Sequence, residues 1–316
     1  MWNFSRALAD GGGGVCGLGK RWGRPGLGRG GGCAPPPLLL ASNMRGMSLH
    51  QTRHGYRFDR DTAVHQHAEG TYTAALTDAW TTFTTHPNGG YVLGTALAGL
   101  GRELSQPDPL AVSAFFLRPA APGQAVVRTE VVRQGRRTAT GQVVLEQGGK
   151  EVVRAGATYG DLSPDPGARV LSLDQPPQLP EPERCLVPAE FEEPEGVSIA
   201  SSVEYRYAQR PGWLDGRVGG PPYSEFWMRF ADGREADTRS LVSMVDFAVP
   251  AVLEIGEFST VTVELSVHVR ARPVAGWLAC RVLTKHVSGG LHEEDMEIWD
   301  RSGVLVAQAR QLAMLV

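Results

Sequence analysis

The 316-residue chain is notable first for what it does not contain. No apolar run approaches the ~18 residues of a membrane-spanning helix. No surplus of positive charge is present: the net charge is −3, which argues against a general nucleic-acid binder. Only four cysteines occur (Cys16, Cys33, Cys185 and Cys280), without metal-type spacing and too few to scaffold a chain of this length. A G-x-S-x-G elbow is missing, which speaks against a serine-triad hydrolase. There is no H-E-x-x-H, and no Cys or His sits in a signature for nucleophilic attack. What remains is an ordinary globular mix, 42% apolar and 21% charged, long enough for two domains.

Glycine is plentiful but uneven. Of 39 glycines, 12 precede residue 33. The stretch from Met1 to Asn43 carries five Lys/Arg against one acid, whereas the rest carries 26 basic and 33 acidic residues. Such a Gly/Pro-rich basic tract buries too little apolar surface to offset its ordering entropy. Residues 1–47 are therefore expected to be a disordered lead outside the fold, with Met44 or Met47 as an alternative start. The only apolar cluster there, Leu38-Leu39-Leu40, is too short for a secretory signal. A cytoplasmic placement is expected, and organellar targeting by this segment is the alternative.

The dense part of the chain has two halves with one grammar. In the first (48–162), HGYRFDRDTAVHQHAEGTYTAAL suggests one or two strands. HPNGGYVLGTALAGLGREL follows, with Leu93, Ala96, Leu97, Leu100 and Leu104 at helical spacing. Asn88 is a natural N-cap, Gly89-Gly90 opens the helix, and the small residues around Gly94 and Gly101 predict close approach to another backbone. Strand-like runs LAVSAFF, QAVVRTEVVRQ, RRTATGQVVLEQ and KEVVRAGATYGD come next, separated by turn glycines. Residues 163–196 hold eight prolines and read as a linker, partly extended and partly packed. In the second half (197–316), SLVSMVDFAVPAVLEIG is expected to be the matching helix and STVTVELSVHVRARPVAG the matching strand. Arg118-Pro119 falls on Arg272-Pro273, Gly135 on Gly289 and Gly149 on Gly303, each at an offset of 154. A constant offset of this length indicates a duplicated domain. The two units are then expected to pair side by side, each burying the edge the other exposes.

These residues resemble a known family. NGGYVLGTALAGL, AFFLRPAAPG and VVRQGRRTATGQVVLEQGGKEVVRAGATYG are similar to the first half of acyl-CoA thioesterases of the thioesterase II type. TVELSVHV and EIWDRSGVLVAQARQLAML are similar to the thioesterase-like superfamily. The resemblance covers roughly Gly55 to Val316. It implies an α+β double hot-dog: two tandem antiparallel sheets, each wrapped around a long central helix. It also implies hydrolysis of fatty acyl-CoA to free acid and CoA, in lipid metabolism.

Thioester hydrolysis needs a base for water, donors for the carbonyl oxygen and an apolar slot. Asp246 lies in an apolar stretch, where a carboxylate is costly unless partnered. At an offset of 155 it lines up with Tyr91, which predicts a place near the start of the second long helix, where free N–H groups favour a negative charge. A helix cap is the plain alternative. The resemblance makes Asp246 the water-orienting acid, Gln311 the amide that holds the water or the carbonyl, and Thr262 the hydroxyl. Gln308 and Gln311 face opposite sides of a regular strand, so only one reaches a given site. One residue too many separates Thr262 from Arg272-Pro273, which predicts a bulge and leaves Thr260 or Ser266 as alternatives. Asn88, Gly89, Gly90 and Tyr91 are assigned to substrate binding, the backbone N–H groups at the helix start polarising a thioester oxygen. Tyr91 and Ala157 replace the acid and amide in the first half, so one site per chain is expected. HEEDMEIWD reads as a hairpin with a solvated acidic face. No metal or other cofactor is required. The expected partner is a small acyl-CoA molecule, without nucleic acid or membrane span, and exposed sheet edges suggest a homo-oligomer. A non-catalytic acyl-CoA-binding or interaction protein on the same scaffold is the alternative function.

Overall fold

The computed structural model describes residues 55–82, 86–165, 167–187 and 198–316. The predicted lead lies outside them. Turn glycines punctuate the chain into α1 (Arg57–Asp61), β1 (Val64–Ala68), β2 (Thr71–Leu76), α2 (Gly89–Glu103), β3 (Asp108–Phe116), β4 (Gly123–Gln134), β5 (Ala139–Gln147) and β6 (Lys150–Gly160). The second half repeats the order: β7 (Val203–Tyr207), β8 (Tyr223–Phe230), α3 (Thr238–Met244), β9 (Thr260–Val269) and β10 (Leu278–Leu283). The short β11 (Val287–Ser288) then precedes β12 (Leu291–Trp299) and β13 (Leu305–Leu315). The segment before β1, read as strand, is in part the helix α1.

Instead of two separate sheets there is one antiparallel sheet of 13 strands, in the order β1-β2-β4-β5-β6-β3-β9-β13-β12-β10-β8-β7, with β11 paired to β12. The order reads the same from both ends, as a duplicated unit must when its copies join edge to edge. The seam is the β3–β9 ladder, centred on Ser113 opposite Ser266. Each copy thereby covers an edge that would otherwise present unpaired N–H and C=O groups.

The helix α2 begins where the sequence predicts. The Asn88 side chain accepts from the Tyr91 N–H at 3.1 Å, capping the first turn. Its apolar stripe, including Leu93, Ala96, Leu97 and Leu100, is buried against β2, β4, β5 and β6. The second helix departs from expectation. It starts at Thr238 under a capping box of Asp237 and Ser240, and it ends at Met244 rather than running to Gly256. Pro250 rules out one continuous helix to Gly256, because it lacks an N–H and disfavours helical backbone in the residue before it. The chain tightens through Asp246 N–H to the Ser243 carbonyl (3.0 Å) and Phe247 N–H to the Met244 carbonyl (3.1 Å). It resumes as a 3₁₀ turn over Ala251–Ile255.

The two helices cross at the N-terminal turns of α2. A Cβ on Gly90 would collide with the Ser243 carbonyl and stand 2.9 Å from Asp246 Cβ, and one on Gly94 would collide with Ser243 Oγ. Only glycine permits that approach. The later part of the described Pro-rich connection packs on the second half: Leu186 exchanges both backbone bonds with Tyr207 on the edge strand β7 (2.8 and 3.1 Å). Trp227 Nε1 donates to the Pro180 carbonyl at 2.8 Å.

Candidate active site

The crossing places Asp246 in an unexpected position. It follows the C-terminus of its own helix, where the dipole opposes a negative charge, and faces the N-terminus of α2 from the other half. Its Oδ2 accepts the Gly90 N–H at 2.7 Å. Its backbone carbonyl accepts Asn88 Nδ2, also at 2.7 Å. The predicted association of this acid with a helix start is thus supplied by α2 rather than by its own helix. Burial pushes the Asp246 carboxyl up to about 6, while the Gly90 N–H and Asn88 pull against the shift.

Asp246 lines a cavity of about 650 Å³ built from both halves. Asn88, Gly89, Thr262 and Gln311 line the same cavity. A β-bulge positions Thr262. In the β9–β13 ladder Leu312 pairs with Glu264 and Ala313 with Thr262, so Val263 is the extra residue. Since side chains alternate with period two, one inserted residue changes which parity faces inward. Leu265, Val267 and Val269 face the core on one side of the bulge, and Thr260 and Thr262 face the cavity on the other. Thr262 Oγ1 donates to Gln311 Oε1 at 2.6 Å.

The alternative hydroxyls are engaged elsewhere. Thr260 also lines the cavity but pairs with His292 Nε2 at 2.8 Å. Ser266 Oγ donates to Glu264 at 2.7 Å and does not line the cavity. Gln308 is also absent from the lining. Two expected binding residues are placed differently. The Gly90 N–H is already committed to Asp246. Tyr91 is fully buried beneath the site, stacked on Trp80 at 5.4 Å, with its hydroxyl donating to the Asp61 carbonyl (2.9 Å) and accepting the Thr77 N–H (3.1 Å). Tyr91 is core rather than cavity wall, because the first turn of α2 points it inward.

Glu294 is the residue the sequence reading overlooked. The acidic hairpin is not solvated on both faces: His292, Glu294, Met296 and Ile298 are all buried along β12. Glu294 lines the cavity. Its Oε1 accepts Gln311 Nε2 at 2.7 Å, and its Oε2 accepts the Ala251 N–H at 2.7 Å. Burial pushes its carboxyl up to about 7; the Ala251 N–H and Gln311 lower it, and the charges of Asp246 and Asp295 raise it further. Period-two alternation with Met296 and Ile298 was the available signal.

The first half has no such arrangement. On the inward face of the sheet Gly141 stands opposite Ala157 on β5 and β6, as Glu294 stands opposite Gln311 on β12 and β13, so that place carries neither an acid nor an amide. Among the described residues, no group of three or more His, Cys, Asp or Glu is arranged to hold a metal ion, and no helix is long and apolar enough to cross a membrane.

Comparison with known proteins agrees with this architecture. Residues 76–160 match the acyl-CoA thioesterase N-terminal domain, and residues 182–315 match the acyl-CoA thioesterase C-terminal domain. An uncharacterised protein of Mycobacterium tuberculosis H37Rv is 30% identical over 245 residues, covering 70% of this chain and 80% of the relative. A Thermobifida fusca protein provisionally described as a thioesterase II superposes with a TM-score of 0.74 at 28% identity, covering 83% of this chain and 98% of that one. A hot-dog protein of unknown function from Alicyclobacillus acidocaldarius shares the fold at a TM-score of 0.71 and 22% identity, covering 82% and 97% of the two chains. With two matched halves, a palindromic antiparallel sheet and a cavity between them, the chain belongs to the acyl-CoA thioesterase family and has the hot-dog fold.

Proposed function

We propose that the protein hydrolyses the thioester of fatty acyl-CoA, releasing the free acid and CoA, with a single site per chain. One observation carries this reading: Asp246, Thr262 and Gln311, from three separate elements, converge on one cavity, and the acid among them is half-buried. A carboxyl pushed up to about 6 is ionised at neutral pH yet basic enough to take a proton from water. The Gln311 amide is held by Thr262 at its oxygen and by Glu294 at its nitrogen, which leaves one Nε2 hydrogen for a ligand. Gly89 lines the cavity at the N-terminus of α2, where its N–H is suited to polarise the thioester oxygen.

In the reaction, water bound to Asp246 and Gln311 attacks the carbonyl carbon as Asp246 takes its proton. The C–S bond then breaks, the CoA sulfur takes up a proton, and the acid departs. Tyr205, Tyr207, Trp213, Phe247 and Leu253 on the cavity wall supply the apolar slot for the acyl chain. Exposed apolar residues on the central strands, Phe115, Leu312 and Met314, support self-association, which sedimentation of the purified protein tests.

The direct test is thiol release from a series of acyl-CoAs by the wild-type protein and by Asp246→Asn. Turnover by the wild type and its loss in the variant is the expected result. Binding of a non-hydrolysable acyl-CoA without thiol release from any substrate would instead establish the non-catalytic binding protein.

A further inference from the structure

Glu294 occupies a position where a carboxylate is expensive. It is 4% exposed, and no cation pairs with it among the described residues. Removing a charge from water without a counter-ion is unfavourable unless hydrogen bonds compensate. Both of its oxygens are compensated, and specifically: Oε2 by the Ala251 N–H of the 3₁₀ turn and Oε1 by Gln311 Nε2. The neighbouring strand partner, Gln311, is thereby held at both ends of its amide. Thr262 Oγ1 donates to the oxygen and Glu294 accepts from the nitrogen. A hydroxyl hydrogen can turn, so Thr262 alone would tolerate either orientation of the amide. A carboxylate is acceptor-only and tolerates one.

We propose that Glu294 is a positioning residue for this site: it accepts from Gln311 Nε2, fixes which way the amide faces, and so presents the remaining Nε2 hydrogen to the cavity. The inference rests on the reading of the cavity as a hydrolytic site and extends it from three side chains to four. It explains why an acid is retained on an inward face otherwise occupied by Met296 and Ile298. The anchoring also links the turn after Pro250 to the far strand β13, since one carboxylate bridges Ala251 and Gln311.

The groups that govern the charge of Glu294 are few. Asp246 faces it from the segment after α3, and Asp295 adds to the field from the same strand, although Asp295 is itself engaged by Arg310 at 2.6 Å. Gln311 on β13 and the Ala251 N–H are the neutral donors. As Asp246 and Glu294 interact, they titrate as a coupled pair. The charged form of Glu294 is the stronger acceptor, so turnover should respond to both ionisations.

Glu294→Gln tests the proposal, because it keeps the size of the side chain but can offer an amide nitrogen where an acceptor is needed. The expected result is a kcat reduced about 10- to 100-fold with KM changed less than about threefold, the signature of a misplaced group rather than lost binding. The wild-type pH profile should show two inflections, and the variant should lose the upper one. Wild-type kcat in the variant overturns the proposal. So does a reduced kcat with both inflections intact, since that outcome reports structural damage only. A second readout is independent of turnover. By NMR, one Gln311 side-chain amide proton should be protected from solvent exchange in the wild type and lose about tenfold of that protection in Glu294→Gln. Equal protection in both proteins overturns the inference. Absence of thiol release by the wild type, with Gln311 protection still dependent on Glu294, overturns the hydrolase reading alone.

Discussion

The half-buried carboxyl of the proposed base, Asp246, should burden the fold, and Asp246→Asn measures that burden. In the folded protein the carboxyl of Asp246 stands at about 6 against an ordinary 3.8, because burial disfavours its charged form. Each tenfold change in proton affinity is worth ~1.4 kcal/mol, so ionising Asp246 costs the native state about 3 kcal/mol. Below about pH 3 the group is protonated in both the folded and unfolded chains, and the cost is absent. It builds up as pH rises from about 4 to about 6 and is complete at pH 7. Asparagine has no charge to bury and keeps an oxygen for the Gly90 N–H. The stability difference between Asp246→Asn and wild type should therefore move in favour of the variant by about 3 kcal/mol between pH 3 and pH 7. Near neutrality that corresponds to a relative gain in Tm of roughly 5–10 °C. Urea unfolding at a series of pH values is the assay. An amide that packs poorly shifts the whole curve equally, so the slope with pH, rather than the absolute stability, is diagnostic. A difference that stays flat across this range would show that Asp246 titrates as an ordinary surface carboxylate, and would refute its assignment as a half-buried base. The same variant should lose about 10²- to 10⁴-fold in kcat, the range associated with a positioned general base.

Further expectations concern the support of the site. Thr262→Ala removes the donor to Gln311 Oε1 and should lower kcat about tenfold, whereas Thr262→Ser, which keeps the hydroxyl, should retain most of it. Gly90→Ala places a methyl against the Ser243 carbonyl and Asp246 Cβ, forcing α2 and α3 apart. It should destabilise the protein by ~1–3 kcal/mol in chemical unfolding and reduce activity as well. Arg234, 5% exposed between the rings of Phe58 and Phe230, bonds Asp59 of the other half and Asp237 of its own. Arg234→Ala should cost about 1–3 kcal/mol, chiefly from lost packing and pairing of the buried guanidinium, since both acids keep access to water. If it unfolds at the same denaturant concentration as wild type, that ion-pair network contributes nothing to joining the halves.

Much of this architecture was legible in the chain. The repeated Arg-Pro pair at Arg118 and Arg272, with the turn glycines at the same offset, exposed a duplication, since turn chemistry is set by local backbone needs. The span of α2 followed from Asn88, Gly89 and the leucine spacing, all of which act within a few residues. The errors came where distant partners decide. Apolar periodicity extended the second helix across Pro250, although one proline outweighs a favourable pattern. The side-by-side pairing of the two units was expected from their exposed edges, but which strands meet, β3 and β9, has no local signal. Asp246 was expected at the start of its own helix because alignment by offset presumed equal helix lengths. It lies past the end, and α2 supplies the N–H groups instead. Glu294 was passed over because its acidic neighbours suggested solvent, while the alternation that buries it with Met296 and Ile298 was the stronger constraint. Surrounding charge is a poor guide to the direction a strand residue faces.

The central claim is that water, held by Asp246 beside Thr262 and Gln311, attacks the thioester directly. Single-turnover hydrolysis of an acyl-CoA in ¹⁸O-labelled water, with protein in excess, tests it most closely. Mass spectrometry of the products should find one labelled oxygen in the released fatty acid and none in Asp246. Unlabelled acid, with the label incorporated into the Asp246 carboxylate, would show that this side chain attacks the thioester itself and would contradict the account.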